Sequence, residues 1–212
     1  MSLQQPYLPL PGKKAVPLAA ASQRAHRHMI DRIAAALARR NRFTTRRPRQ
    51  ATILLPLLTS TPTPSLLLTR RAETLSSHKG QVAFPGGRTD DADNGPIDTA
   101  LREAHEEIAL PPAKVEILGI TDRYRTTSGF QVTPVVGVIP PDLSFRPEPG
   151  EVEDIFEVPL DFLLDSANHL ESHVEWQGRE RHYYEIFWQD RRIWGATAAM
   201  IVNLARRFAW AA

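Results

Sequence analysis

The chain has 212 residues, 42% of them hydrophobic and 24% charged, with a net charge of only +2, the make-up of a globular domain with a sizeable core. It contains no cysteine, which excludes a disulfide framework and a thiolate metal site. Its longest strongly apolar run, Ile53 to Leu58, is six residues including Pro56; that is too short to cross a membrane, and a cytoplasmic location is expected.

Taken in chain order, residues 1–21 read as an irregular segment, because Pro6, Pro9, Pro11, Gly12 and Pro17 break any period. Lys13 and Lys14 followed by Ala15 to Ala21 make a poor signal peptide, since the run is short, alanine-heavy and proline-broken. Residues 22–50 read as a basic amphipathic helix and linker. Ser22 can cap a helix in which Ala25, Met29, Ile33 and Leu37 recur every fourth position, with Ile30 beside them, and docking of this helix on its own domain is expected. The first fifty residues hold eleven Lys or Arg against one acid, Asp31. Such an arm can meet nucleic acid, an anionic membrane or an anionic substrate, or be a solvated face; no specific nucleic-acid partner is expected from it.

Residues 51–212 form the expected main domain. Ala51 to Leu58 reads as a buried strand by its β-branched and leucine content, with Pro56 pointing to an edge or a bulge. Ser65 to Thr69 returns, and Arg70 to Gly87 follows as a long stretch without helical period, a length more often functional than accidental. Pro96 to Ile108 is the clearest helix: Asn94 or Gly95 can cap it, Pro96 suits its first turn, and Ile97, Leu101, Ala104 and Ile108 form an apolar stripe. Lys114 to Ile120, Phe130 to Ile139 and Glu151 to Val158 read as strands, Pro159 to Leu164 as a helical turn. His173 to Trp176 and Tyr183 to Trp188 flank Gly178 as a hairpin, and Ala196 to Phe208 is a closing helix with Ile201, Leu204, Ala205 and Phe208 inward. Strands in the middle and helices around them predict an α/β fold with a mixed sheet between helices.

The chemistry concentrates on the other face of the Pro96–Ile108 helix. Glu103, Glu106 and Glu107 stand at i, i+3 and i+4, and each like-charge pair at that spacing costs an isolated helix roughly 0.2–0.5 kcal/mol. A bound cation reverses that sign, and hard carboxylate oxygens suit Mg²⁺ or Mn²⁺ completed by water and phosphate oxygens. Arg102, four residues from both Asp98 and Glu106, can hold the acidic side chains in position. Upstream, Phe84-Pro85-Gly86-Gly87 precedes an acidic loop, Asp90, Asp91 and Asp93, and paired glycines let backbone approach a ligand closely.

With these residues in view, Gly87 to Leu110 resembles a Nudix box, with Gly87, Asp93, Arg102, Glu103, Ala104, Glu106, Glu107 and Leu110 in corresponding places. Asp93 stands for a glutamate, the following spacer has eight residues, and Ala109 replaces the glycine at the helix end. Leu67-Leu68-Thr69-Arg70-Arg71-Ala72, Gly80 and Phe84-Pro85-Gly86-Gly87 are similar to the signature of the coenzyme A pyrophosphatase branch, with Ser76 where that pattern has a second arginine. Gly129 to Val135, Glu151-Val152 and Trp194 to Thr197 look like the same branch. The resemblance implies a Nudix-type α/β/α sandwich and an Mg²⁺- or Mn²⁺-dependent hydrolase that cleaves coenzyme A or its derivatives to 3′,5′-ADP and 4′-phosphopantetheine.

The resemblance also implies site roles. Glu103, Glu106, Glu107 and Gly87 would hold the metal, and Arg102 and Glu151 would join them in the catalytic set, with Glu103 and Glu151 both candidates to take the proton. Arg71 matches the branch signature as a substrate contact, with Gly80, Phe84, Gly86 and Gly87; Arg70, Lys79 and Arg88 are added by proximity. Two other readings stay open: the same chemistry on another nucleoside diphosphate derivative such as ADP-ribose, and a catalytically silent binding module of the same fold. Oligomeric state is open, a homodimer included. Asp90 to Leu101 lacks the ligands of a calcium loop, His105-Glu106 lacks the second histidine of a zinc-protease helix, and His169 and His173 lack a third ligand.

Overall fold

The computed structural model describes residues 20–37, 49–59, 63–176 and 178–211. The expectations on residues 1–19, on most of the basic linker and on the tip of the turn after Leu58 lie outside the described residues.

The basic helix, α1, spans Ala20–Leu37, so Ser22 lies inside it rather than capping it. Ile33 is buried, and Met29 and Ile30 pack beside it against the domain's own core. The next strand, β1 (Arg49–Leu58), runs parallel to β7 (Phe130–Ile139) over its whole length. On its other side β1 pairs antiparallel with β4 (Gly86–Arg88) through Ala51 to Ile53 and with β2 (Ser65–Arg71) through Leu57 and Leu58. β1 is therefore central, not an edge as Pro56 suggests. Leu54 donates its N–H to the Pro85 carbonyl on the β4 side. Pro56, two residues on, would point the same way and has no N–H to give; it falls in the gap between the β4 and β2 ladders, where no donor is needed.

The remaining strands complete a mixed sheet. β3 (Val82–Ala83) and β8 (Val152–Pro159) pair with β2, while β5 (Glu116–Ile120) and β6 (Tyr124–Arg125) pair with β7, all antiparallel. A second, three-stranded sheet holds β9 (Leu170–Trp176), β10 (Arg179–Trp188) and β11 (Arg191–Trp194). Three of the strands not foreseen, β3, β4 and β6, are two or three residues long, too short for a period to register.

Alternation along the strands divides the core in two. Leu54, Leu58, Leu67, Val135 and Ile139 face one side, under α2 (Pro96–Ile108), with Ala100, Ala104 and Ile108. Leu55, Leu57, Leu66, Leu68, Val136 and Val138 face the other, under α1, the short α3 (Leu160–Leu164) and α4 (Gly195–Ala211), with Leu160, Leu163, Ile201 and Leu204 buried. The result is the expected α/β/α sandwich. The α2 stripe is narrower than the sequence suggests: Ile97 is 36% exposed and Leu101 half-buried, while Thr99 and Glu107 are buried. That substitution matters, because it takes a carboxylate inside.

Helix α2 ends at Ala109, which adopts the left-handed conformation at φ 56° and ψ 30°. The N–H groups of Ala109 and Leu110 donate to the carbonyls of His105 and Ala104, the first of them the bond that defines an αL cap. The cap forms without glycine, but a left-handed conformation costs an L side chain roughly 1–2 kcal/mol, against glycine's larger loss of chain entropy. Ala109→Gly is expected to stabilise the protein by about 0.5–1 kcal/mol net. Urea unfolding checks this, and a loss of stability would contradict it.

Candidate active site

The site is assembled where β4 passes the middle of α2. Glu107 is 3% exposed, and its carboxylate accepts the Gly86 N–H at 3.0 Å. The Arg71 guanidinium, at the end of β2, stands 3.9 Å from the same carboxylate. Glu103, one turn earlier, lies against Gly87 so closely that a Cβ there would meet its carboxylate at 2.4 Å. Two adjacent glycines thus have two different tasks: Gly86 donates to one glutamate, and Gly87 makes room for the other.

Electrostatics mark this pocket as short of positive charge. Burial pushes the Glu107 carboxyl up to about 8, aided by the negative charges of Glu103 and Glu151 and opposed by the Gly86 N–H and Arg71. Glu103 is also raised, first by burial, with Arg102 opposing and Glu106 and Glu151 adding. Glu151 therefore stands close enough to act on both. It is carried there by the segment after β7, which also finishes α2: the N–H groups of Arg146 and Glu148 donate to the carbonyls of Ile108 and Glu107, and Glu148 accepts from Glu151. The same strap satisfies the helix end and delivers the third carboxylate. On the other side, Ala72 donates to the Glu151 carbonyl at 2.9 Å.

Arg102 holds the loop to the helix. Its Nε and Nη2 donate to Asp93 at 2.9 and 3.1 Å, Nη1 to Glu106 at 2.9 Å, and Nη2 to the Arg88 carbonyl at 3.1 Å. A further contact of 3.0 Å reaches Glu103. Asp98 is not its partner, contrary to the helical spacing; Asp98 accepts from the backbone and side chain of Asn94 instead. Asp93 is held well below the usual carboxylate range, chiefly by its hydrogen bond from Arg102. With its donors directed at protein oxygens, Arg102 is a positioning residue rather than one that touches a ligand. Asp93 leaves no mark in the helical spacing, because its pairing with Arg102 crosses a loop.

The other expected residues divide. Arg71 joins the carboxylates, and its buried Nε has no hydrogen-bond partner among the described residues. Gly80 donates its N–H to the Arg71 carbonyl at 3.1 Å and so pins the backbone of that arginine. Arg70 is turned to Glu153 at 3.1 Å on the surface, and Lys79 is exposed. Phe84 is 3% exposed and part of the core shared with α4; it supports the glycine turn from beneath and presents no ring to a ligand. Arg88 is exposed, with its guanidinium over Phe130. Glu106 faces outward to Arg102 and not into the pocket with its two neighbours.

Among the described residues no three acidic or histidine side chains close into a ready-made metal cage. Mg²⁺ does not ask for one: it keeps several waters and is commonly held by one or two carboxylates together with substrate phosphates. Two adjoining carboxylates, both raised chiefly by burial with neighbouring negative charges adding, are a donor set that fits such an ion.

Comparisons with known proteins give the family of the chain. The NUDIX domain family model matches residues 47–178. The "Uncharacterized Nudix hydrolase NudL" of Pectobacterium atrosepticum is 46% identical over 157 residues, covering 74% of this chain and 81% of that protein. The protein of the same description from Escherichia coli strain K12 is 43% identical over 157 residues, with the same coverage. Among solved structures, the NUDIX domain of Shewanella oneidensis NrtR complexed with ADP ribose is 21% identical, covers 62% of this chain and 85% of that one, and superposes with a TM-score of 0.44. No described helix is long and apolar enough to cross a membrane. With the family model spanning more than half its length over a glycine turn, an arginine-tethered loop and a carboxylate-bearing helix, the chain is an enzyme of the Nudix hydrolase family.

Proposed function

We propose that this enzyme hydrolyses the diphosphate linkage of coenzyme A or its derivatives to 3′,5′-ADP and 4′-phosphopantetheine. The observation that carries the reading is Arg71: it belongs to the coenzyme A branch pattern, sits beside the buried Glu107, and keeps a buried Nε free of any described acceptor. The Arg71 side chain is 27% exposed and stands 3.9 Å from Glu107, so its terminal N–H groups can take a phosphate oxygen of the substrate. Gly80 supports the same reading by fixing the backbone of Arg71.

In this reading Glu103 and Glu107, with the backbone of Gly87, hold Mg²⁺ or Mn²⁺, and Glu106 contributes from the rim. When bound, the ion polarises the diphosphate and makes a water nucleophilic near neutral pH. Arg71 orients the diphosphate and offsets charge that develops on its oxygens. Glu103 or Glu151 accepts the proton of the attacking water. Arg102 keeps Glu103 and the Asp93 loop in register.

The raised Glu107 gives this reading a pH signature. An unfolded glutamate titrates near about 4.3, and in the fold Glu107 is pushed up to about 8. Between those values the unfolded chain binds fewer protons than the folded one, so the metal-free protein loses stability as pH rises through that window. A cation that neutralises the pocket should therefore raise the melting temperature more at about pH 8 than at about pH 6. Equal shifts at both would contradict the placement.

The substrate is tested by incubating the protein with coenzyme A or ADP-ribose and Mn²⁺ and identifying products by mass. The reading expects coenzyme A to be cleaved with kcat/KM at least about tenfold higher, a difference of about 1.4 kcal/mol in transition-state binding. Equal turnover of the two would overturn the coenzyme A assignment and leave diphosphate hydrolysis intact.

A further inference from the structure

Arg49, Arg88 and Phe130 meet beside the site. Arg49, at the start of β1, lies opposite Phe130 in the parallel ladder, and its guanidinium carbon is 4.3 Å from the centre of the Phe130 ring. Arg88 reaches the same ring from β4, at 5.4 Å. The Arg49 Nη2 donates to the Ser128 carbonyl at 2.8 Å, which holds that side chain in place. Two guanidinium groups over one ring repel each other, and a cation–π contact at an exposed site returns only about 0.5–1 kcal/mol. Among the described residues no carboxylate lies within ion-pair distance of either arginine, whereas Arg70, Arg102, Arg191 and Arg192 each have one. The guanidinium donors left over from the Ser128 contact can take a doubly charged phosphate.

The position of this pair ties it to the reaction. Arg88 follows Gly87 directly, and its carbonyl accepts from the same Arg102 that contacts Glu103. Side chains alternate along a strand, so the Gly87 position faces Glu103 while Arg88 turns the other way, to Arg49 and Phe130. The two positions are adjacent on β4, which among the described strands pairs with β1 alone, so the arginines lie across this strand from the Gly87 pocket and a ligand that joins them passes over its edge. We propose that Arg49 and Arg88, gathered over Phe130, form a subsite for a phosphomonoester on the nucleoside half of the substrate, distinct from the seat of the diphosphate. The class of ligand is a nucleoside diphosphate derivative with an additional ribose phosphate. This deepens the proposed function and rests on its diphosphate reading of the Gly87 pocket.

Calorimetric titration of the full chain with adenosine 3′,5′-bisphosphate and with AMP isolates the subsite from turnover. The wild type should bind the bisphosphate roughly tenfold or more tightly, the scale of a pair of charge-assisted contacts. The double variant Arg49→Gln/Arg88→Gln should bring the two affinities within about twofold, and Arg49→Lys/Arg88→Lys should fall between. Thermal melts report whether each variant folds, and a purely structural role would weaken both ligands alike and leave the ratio unmoved. A parallel kinetic arm compares kcat/KM for coenzyme A and 3′-dephospho-coenzyme A, whose ratio should drop by the same factor in the glutamine variant. An equal ratio in wild type and variant, or no bisphosphate preference in the wild type, overturns the subsite. If the wild type cleaves neither coenzyme A form yet shows an arginine-dependent bisphosphate preference, the substrate assignment fails and the subsite stands.

Discussion

Replacing Glu107 by Gln is expected to lower kcat/KM by about 10³-fold or more, because metal-borne charge stabilisation of a transition state is worth several kcal/mol and each 1.36 kcal/mol is tenfold. The same substitution should make the metal-free protein more stable at about pH 8. Glu107 is 3% exposed and raised to about 8 by burial, so above that pH the fold carries a buried negative charge that Gln removes. Gln retains a carbonyl oxygen able to accept the Gly86 N–H. Activity and metal-free stability thus move in opposite directions, a pattern that general damage to the fold does not produce. Steady-state kinetics and melts of the same preparation check both halves. Unchanged metal-dependent turnover in Glu107→Gln would remove the residue from the account.

The second large effect separates two neighbouring glycines. At Gly87 the three atoms nearest to an added Cβ all belong to the carboxylate of Glu103, at 2.4 to 2.5 Å. That carboxylate is the far end of a flexible side chain, so Gly87→Ala should fold and yet displace Glu103, lowering kcat by about 10²-fold, the cost expected when a reacting group is held about an ångström out of place. At Gly86 the same atom meets the Thr52 carbonyl at 2.3 Å and the Ile53 Cα at 2.6 Å, with φ +153°. Backbone of the central strand cannot yield as a side chain does. Gly86→Ala is therefore expected to cost stability, about 3 kcal/mol or more from strain and overpacking together. Denaturant unfolding and kinetics on both variants check the contrast. Equal stability losses at the two positions would contradict the geometry drawn for β4.

What the sequence conveyed and what it withheld follow from the range of the interactions. Helix α2 was legible from Pro96 to Ile108 because its start signal, its period and its acidic face are all local, and Phe130 to Ile139 was legible from its length and alternation. Pro56 misled because its tolerance depends on where two partner strands stop, which no local pattern encodes. Ile97 and Leu101 fit an apolar stripe, yet the sheet accepts Ala100 and Ala104 and draws Glu107 inward. Phe84 belongs to a ligand-like glycine segment in sequence and to the core in space. Arg102 finds Asp93 across the loop, and Glu151 reaches Glu103 and Glu107 only because residues 146–151 cap α2; both depend on contacts far apart in the chain. The arginine pair over Phe130 draws on three separate strands, so no spacing rule could have joined them.

Catalysis at this site requires the carboxylates of Glu103 and Glu107 to hold a divalent cation beside Gly87. Manganese binding followed by electron paramagnetic resonance, on the wild type and on Glu103→Gln/Glu107→Gln at about pH 8, where Glu107 is about half ionised, addresses it without any substrate. The wild type should bind Mn²⁺, and the double variant should lose at least about 10- to 100-fold in affinity, the scale already seen for partners one shell farther from a metal. A double variant that binds Mn²⁺ as tightly as the wild type would place the ion elsewhere and contradict the site described.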